Sequence, residues 1–100
     1  MKNENLTIEN KFTLALQNHQ KNNLIIAEKL YKEVLETKPN HIEAICYLGT
    51  LFAQTKKFNL AKPLFLQAVK INPNNPNINN NLGNIFFELG EKEKAIKYYE

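Results

Sequence analysis

One hundred residues with a net charge of +3 and 43% hydrophobic residues can form one compact domain or a short array of repeats, which excludes a second independent domain. The sequence contains no Ser, Asp, Arg or Trp, so its ten acidic residues are all Glu and its thirteen basic residues are all Lys. A Ser-His-Asp triad, an Asp-x-Asp metal site and a bidentate arginine clamp therefore cannot be built from this chain.

Six helices are predicted, because apolar residues recur at helical spacing between Pro, Gly and Asn residues. In chain order they cover residues 8–21, 24–37, 41–55, 59–71, 76–89 and 92 onward, after a flexible N-terminal segment at residues 1–7. Pro39, Pro73 and Gly90 stand where helices end. Pro63 is expected in the first turn of the fourth helix, with Asn59 as its N-cap, where a missing amide hydrogen breaks little.

A period of 34 residues relates these helices to one another. The recurring columns hold Leu14, Leu48 and Leu82; Gly49 and Gly83; Ala27, Ala61 and Ala95; Tyr31, Phe65 and Tyr99; and Pro39 and Pro73. The period predicts three helical hairpins, at residues 8–41, 42–75 and 76–100. A glycine within a helix costs about 1 kcal/mol relative to alanine, so Gly49 and Gly83 are expected to let paired helices approach closely, opposite Ala61 and Ala95.

These columns resemble the tetratricopeptide repeat, whose pattern runs from an aromatic residue through Leu-Gly, a second aromatic, Ala and Phe to a closing Pro. The likeness covers residues 8–100 and is weakest in the first unit, where Lys11, Ala15 and Asn18 replace the first aromatic, the glycine and the second aromatic. The resemblance implies an all-α fold, an α-solenoid of antiparallel helical hairpins wound into a right-handed superhelix.

The third unit is shorter than the other two, so the end of the array is expected to be incomplete. Phe86, Ile96 and Tyr99 would then lack a following helix to cover them. We expect the sequence to be the N-terminal part of a longer protein. The alternative is a self-association module, in which copies of the chain cover each other's open ends.

The resemblance implies that the first helix of each unit lines a concave face that binds an extended peptide or a partner helix, so the expected function is noncatalytic protein binding. Outside the core columns, this face offers Glu9, Phe12, Thr13, Leu16 and Gln20 in the first unit, Glu43, Cys46, Tyr47, Thr50 and Gln54 in the second, and Asn77, Asn80, Asn81, Asn84 and Glu88 in the third. From the first unit to the third, the side chains of this face change from apolar, through aromatic and hydroxyl groups, to amides.

Asn81 and Asn84 are candidates for holding a peptide backbone, because an amide side chain both donates and accepts hydrogen bonds. They resemble the asparagine ladder in the groove of O-linked N-acetylglucosamine transferases, although Thr13 and Tyr47 occupy the columns equivalent to Asn81. The alternatives are that these asparagines are simply solvated, or that the chain is a substrate-presenting or dimerisation domain of a larger enzyme such as a glycosyltransferase.

The carboxylate clamp of chaperone-binding members requires Lys, Asn and Arg at set columns. Phe12 and Leu16 occupy the first two of these columns, and the sequence has no Arg. A receptor for chaperone tails is therefore not expected.

Cys46, His19 and His41 are the residues that could suggest a catalytic or metal site. Cys46 and His41 are five positions apart, about 140° around a helix, and do not share a face. We therefore expect a half-exposed thiol, solvated histidines and no catalytic residue, cofactor or metal. Scattered lysines argue against nucleic acid, and the absence of a long apolar run argues against a membrane span. A single cysteine and a polar N-terminus predict a cytoplasmic protein.

Overall fold

The computed structural model describes residues 7–100, and this range contains six α-helices. They are α1 (Ile8–Gln20), α2 (Leu24–Thr37), α3 (Ile42–Gln54), α4 (Phe58–Ile71), α5 (Pro76–Glu88) and α6 (Lys92–Tyr99). The predicted flexible segment lies outside the described residues except for Thr7. Thr7 is instead the N-cap of α1, and its hydroxyl oxygen accepts a hydrogen bond from the Asn10 amide at 3.0 Å.

The helices pack in chain order, each against the next, in a shape that measures 52 × 25 × 17 Å. Within each unit a three-residue turn joins the two helices, so paired helices run antiparallel. The prediction of an all-α solenoid built from antiparallel hairpins is confirmed. We call α1, α3 and α5 the first helices and α2, α4 and α6 the second helices.

The turn inside each hairpin repeats with the same period as the core. Asn22, Lys56 and Gly90 occupy one column, and all three adopt a left-handed backbone with φ of 65°, 62° and 82°. In the second unit, the Lys57 amide donates to the Phe52 carbonyl at 2.7 Å and the Lys56 amide donates to the Ala53 carbonyl at 3.0 Å. The same two bonds recur in the other units, so every first helix ends in a Schellman motif.

Lys56→Gly is expected to raise the free energy of unfolding by about 0.5 to 1 kcal/mol, because glycine adopts a left-handed backbone without the steric cost of a side chain. Urea denaturation followed by circular dichroism measures the effect. Lys57→Gly is the matched control, because Lys57 has a negative φ of −94° and should gain nothing. A gain at Lys57 equal to that at Lys56 would contradict the explanation.

The first helices also begin alike, each with a side chain that caps the helix. His41 caps α3 by accepting the Ala44 amide hydrogen on Nδ1 at 3.1 Å, and Asn75 caps α5 through its side-chain oxygen. These two positions occupy the same column as Thr7. The expectation that His41 is simply solvated is therefore wrong: it is half-buried and satisfies a backbone donor.

Two core columns, those of Leu14 and of Tyr99, are buried inside the array and more exposed at one end of it. Leu82 is 0% exposed, whereas Leu14 in the same column is 38% exposed. No second helix precedes α1 among the described residues, so nothing there covers Leu14 in the way α4 covers Leu82. At the other end, Phe65 is fully buried while Tyr99 in its column is exposed.

The helical glycines make room for an aromatic ring. A Cβ added at Gly49 would lie 2.6 Å from Cε2 of Phe65, and one at Gly83 would lie 2.6 Å from Cε1 of Tyr99. The prediction of close approach stands, but Ala61 and Ala95 are not the nearest partners. The rings one turn further along the second helix lie directly against the glycine backbone.

Two other expectations about single residues are corrected. The N-cap of α4 is Lys57 and not Asn59, so the helix begins at Phe58 and Pro63 stands at its sixth position, beyond the first turn. The amide that Pro63 lacks would have bonded to the carbonyl of Asn59, and both residues are exposed, so water can satisfy that carbonyl.

Phe86 was expected to be uncovered and is only 4% exposed. The Tyr98 ring stacks on it with centroids 5.5 Å apart, and the ammonium groups of Lys62 and Lys94 lie 5.8 and 5.6 Å from its centre. Ile96 and Tyr99 are exposed, as predicted. A test for self-association must therefore change Ile96 or Tyr99 and not Phe86.

Candidate peptide-binding groove

Two neighbouring grooves open at the junctions between consecutive units. The first groove, of about 790 Å³, lies between units 1 and 2 and is lined by Glu9, Phe12, Thr13, the 37–41 loop, Ile42 and Glu43. The second groove, of about 420 Å³, lies between units 2 and 3 and is lined by Ile42, Glu43, Cys46, Tyr47, Thr50, Asn72, Asn75, Asn77, Ile78 and Asn81. Ile42 and Glu43 line both grooves, so the two grooves adjoin at the start of α3.

The two grooves are built from the same columns of the repeat. Glu9, Phe12 and Thr13 in the first groove become Glu43, Cys46 and Tyr47 in the second. Sequence reasoning missed the walls that the inter-unit loops supply, which are Lys38 and His41 in one groove and Asn72 and Asn75 in the other. The 34-residue spacing of these loop positions was the signal that could have found them.

The structure brings together most of the predicted binding residues and leaves others apart. Those lining the grooves are Glu9, Phe12, Thr13, Glu43, Cys46, Tyr47, Thr50, Asn77 and Asn81. Leu16 packs against the core, and Asn80 lies at the open end of unit 3 beside Tyr98 and Tyr99. Gln54 and Asn84 hydrogen-bond to other side chains, and Glu88 is exposed near the end of α5.

Aromatic rings form a connected cluster at the junction of units 1 and 2. The Tyr31 and Tyr47 rings stack with an interplanar angle of 9° and centroids 6.3 Å apart. Phe12 lies 5.0 Å from the His41 ring and 5.9 Å from the Tyr47 ring. Tyr47 is 43% exposed, so this cluster presents an aromatic surface to the grooves from a packed base.

His19 links the two units at the back of this cluster. Its Nε2 lies 2.8 Å from the Gln54 side-chain oxygen and its Nδ1 lies 2.8 Å from the Tyr31 hydroxyl. The Gln54 oxygen can only accept, which assigns the hydrogen to Nε2 and lets the Tyr31 hydroxyl donate to Nδ1. The expectation of a solvated His19 is therefore wrong, because its partners come from α2 and α3.

Burial, and to a smaller extent the charge of Tyr47, raises the pKa of Tyr31 to about 12. The hydroxyl of the unfolded chain ionises first, so the stability that depends on neutral Tyr31 is complete below pH 10 and is lost as the pH rises from 10 towards 12.

At neutral pH we expect Tyr31→Phe to lower the free energy of unfolding by about 1 kcal/mol, through loss of the bond to His19. The difference between the two proteins should shrink in alkali, as measured by urea denaturation across this pH range. A difference that stays constant would contradict the assignment.

Cys46 is placed in the second groove but is not activated. Burial raises the pKa of its thiol, and the carboxylate of Glu43 raises it further, so the thiolate is scarce at neutral pH. Residues 7–100 contain no group of three or more His, Cys or Glu side chains that could hold a metal ion. None of the described helices is both long enough and apolar enough to cross a membrane.

The asparagines of unit 3 have different roles. Asn81 and Asn77 line the second groove, whereas the Asn84 side-chain oxygen accepts the Tyr99 hydroxyl at 2.5 Å. Asn75 caps α5, and the side-chain amide of Asn79 donates to the backbone carbonyls of Pro73 and Asn75. Asn81 is thus the better placed of the two residues predicted to hold a peptide backbone.

Known sequences decide the family. The tetratricopeptide-repeat pattern matches residues 42–75 and, in a second alignment, residues 64–97. This chain is a tetratricopeptide-repeat protein. Tetratricopeptide repeats are protein-interaction modules, which supports the coarse prediction of a protein-binding scaffold.

Several curated proteins share this tetratricopeptide-repeat segment. A TPR repeat-containing protein of Pseudomonas aeruginosa is 31% identical over 88 residues, covering 87% of this chain and 15% of the relative. The RNA polymerase-associated protein CTR9 of Saccharomyces cerevisiae is 32% identical over 84 residues, 84% of this chain and 8% of CTR9. The UDP-N-acetylglucosamine–peptide N-acetylglucosaminyltransferase of Caenorhabditis elegans is 28% identical over 89 residues, 89% of this chain and 8% of the transferase. The chain thus spans a small fraction of each of these proteins.

Solved structures of MamA share the fold. MamA MSR-1 has a TM-score of 0.86 and 23% identity, and the match covers 98% of this chain and 56% of that one. Another MamA structure has a TM-score of 0.88 and 16% identity, covering 93% and 54%. At these identities the likeness establishes how the tetratricopeptide hairpins stack.

Proposed function

We propose that this chain is a noncatalytic module that binds an extended peptide, or a helix of a partner protein, along the face formed by α1, α3 and α5. The observation that carries the proposal is the pair of adjoining grooves on the first helices, which share Ile42 and Glu43. The grooves combine aromatic surface with polar groups, which is the composition that orients a ligand while burying part of it.

The groove offers two kinds of contact to a peptide. Tyr47 supplies a large rigid ring whose base is held by stacking on Tyr31, so its ordering on binding costs little. The Asn81 amide can donate to a peptide carbonyl and accept from a peptide amide whatever the peptide's side chains are. Together they support recognition of an extended backbone.

The test is to select linear peptides from a random library on the 100-residue chain and to measure their affinities by fluorescence polarisation. Tyr47→Ala combined with Asn81→Ala should weaken a selected peptide by about tenfold or more. Leu60→Ala is the control, because Leu60 is exposed on α4 and lines neither groove. Both variants must keep the thermal midpoint of the parent to within a few degrees. If the control Leu60→Ala weakens binding as much as the double variant does, the proposed groove is wrong.

The C. elegans relative favours a second candidate. That protein is named as a peptide N-acetylglucosaminyltransferase, and this chain aligns with a small part of it. Under this candidate, the segment presents substrate peptides to a transferase domain within a larger protein. The natural gene product, assayed with a UDP-sugar and a peptide selected on the groove, would transfer sugar to that peptide under this candidate. No transfer is expected from the noncatalytic module.

A further inference from the structure

Charge is divided unevenly between the two sets of helices. The first helices hold Glu9, Glu43 and Glu88 but a single lysine, Lys11. Lys11 is directed away from the grooves, because its ammonium pairs with the Glu33 carboxylate of α2 at 3.5 Å. The second helices hold seven lysines and four glutamates. The excess positive charge therefore lies mainly on the second helices and the connecting loops, and the first helices carry a negative excess.

Glu43 lies in the first turn of α3, the middle one of the three first helices. It is exposed, lines both grooves and makes no ion pair with any described residue. It is also the only charged residue among those lining the second groove. Besides burial, the negative charge of the Glu43 carboxylate raises the pKa of the Cys46 thiol, which lines the same groove.

The first groove is more mixed but has the same sign. Glu9 and Glu43 line it together with one basic residue, Lys38, on the inter-unit loop. Lys38 is exposed and forms no ion pair with a carboxylate of residues 7–100. Two carboxylates against one ammonium leave a net negative charge in this groove.

An exposed aromatic ring, that of Tyr47, lies on the same helix as the Glu43 carboxylate. Tyr47 follows Glu43 by four residues on α3, so their side chains are neighbours on one helix face, and both line the second groove. A cation placed there can pair with the carboxylate while it lies over the ring, where the electron density of the ring attracts positive charge. A neutral or acidic peptide side chain cannot combine an ion pair with such a cation–π contact.

We propose that the ligand of these grooves is a basic peptide, an extended segment whose Lys or Arg side chain pairs with Glu43 and lies over Tyr47. This proposal rests on the proposed function and adds the chemistry of the partner. It runs against the net charge of +3, which by itself attracts acidic partners. A preference for basic peptides must therefore come from the groove and not from the charge of the whole protein.

The test uses three labelled peptides of equal length that alternate alanine with Arg, with Gln or with Glu. Fluorescence polarisation at low ionic strength should show the Arg peptide binding about tenfold more tightly than the Gln and Glu peptides, with the preference falling as salt is added. Glu43→Gln should weaken the Arg peptide about threefold, and Tyr47→Leu should weaken it by a similar factor.

The matched control is Glu93→Gln, which removes the same charge from an exposed position on α6 that lines neither groove. It should change the affinity by less than about 1.5-fold. Equal effects of Glu43→Gln and Glu93→Gln, or equal affinity for the Arg and Gln peptides, would overturn the proposal. If library-selected neutral peptides bind through Tyr47 while the Arg peptide does not, only the charge preference fails. If no linear peptide binds at concentrations up to about 1 mM, the proposed function fails with it.

Discussion

Gly49→Val is expected to destabilise the chain by about 3 kcal/mol, because the new side chain would overlap the ring of Phe65. The added Cβ alone would lie 2.6 Å from Cε2 and 2.9 Å from Cδ2 of that ring. Phe65 is fully buried, so the ring has no open space into which it can turn. The strain must be relieved by separating α3 from α4, which also disturbs the contacts of α4 with α5.

A double-mutant cycle tests this explanation by urea denaturation. In a Phe65→Leu background the ring is absent, and Gly49→Val should cost markedly less than in the parent. The coupling separates the steric cost from the higher helix propensity of valine relative to glycine, which is the same in both backgrounds. An equal cost of Gly49→Val in the two backgrounds would show that the Phe65 ring is not what requires a glycine at this position.

Leu82→Ala is expected to lower the free energy of unfolding by about 3 kcal/mol, whereas Leu14→Ala should cost less than about 1 kcal/mol. The two leucines occupy the same column of the repeat and lose the same atoms. Leu82 is fully buried in an array where α5 packs against α4, while Leu14 lies on the uncovered side of α1. The difference between the two costs therefore measures the stacking of one unit on the next.

Urea denaturation of both variants, with the parent as reference, provides the measurement. Similar costs at the two positions would mean that the preceding unit does not cover Leu82 in solution. That result would contradict the stacked arrangement itself and not merely the energy assigned to one side chain.

Much of the fold follows from the period of the sequence. A column that repeats every 34 residues must occupy equivalent places in successive hairpins, so the helices and the buried alanines were predictable. The predicted helix ends agree with α1 to α6 to within one residue. The turn column was only partly recognised, because Gly90 is a familiar left-handed residue but Asn22 and Lys56 are not.

Other features depend on distances that a periodic pattern does not contain. The pattern identifies Gly49 as a place of close approach but does not tell whether Ala61 or Phe65 is nearest. The contacts of His19 come from residues 12 and 35 positions away, and no local signal predicts them. The column pattern also does not show that Leu14 is exposed while Leu82 is buried, because the two are the same residue in the same column.

The candidate site was predictable where the first helices form it and not where loops or second helices take part. Glu43, Tyr47 and Asn81 were identified from their columns and do line the grooves. Asn84 was identified in the same way, but its side-chain oxygen is held by Tyr99, which comes from α6. Whether a side chain is free depends on such neighbours, which the resemblance alone does not supply.

The most direct measurement is an NMR titration of the isotope-labelled chain with a peptide selected on it. The account predicts that amide shift changes concentrate on the groove residues of α3 and α5, above all at Glu43, Tyr47 and Asn81. Changes centred instead on α4 around Leu60, or at the open end around Ile96, would contradict the claim that the first helices form the binding face.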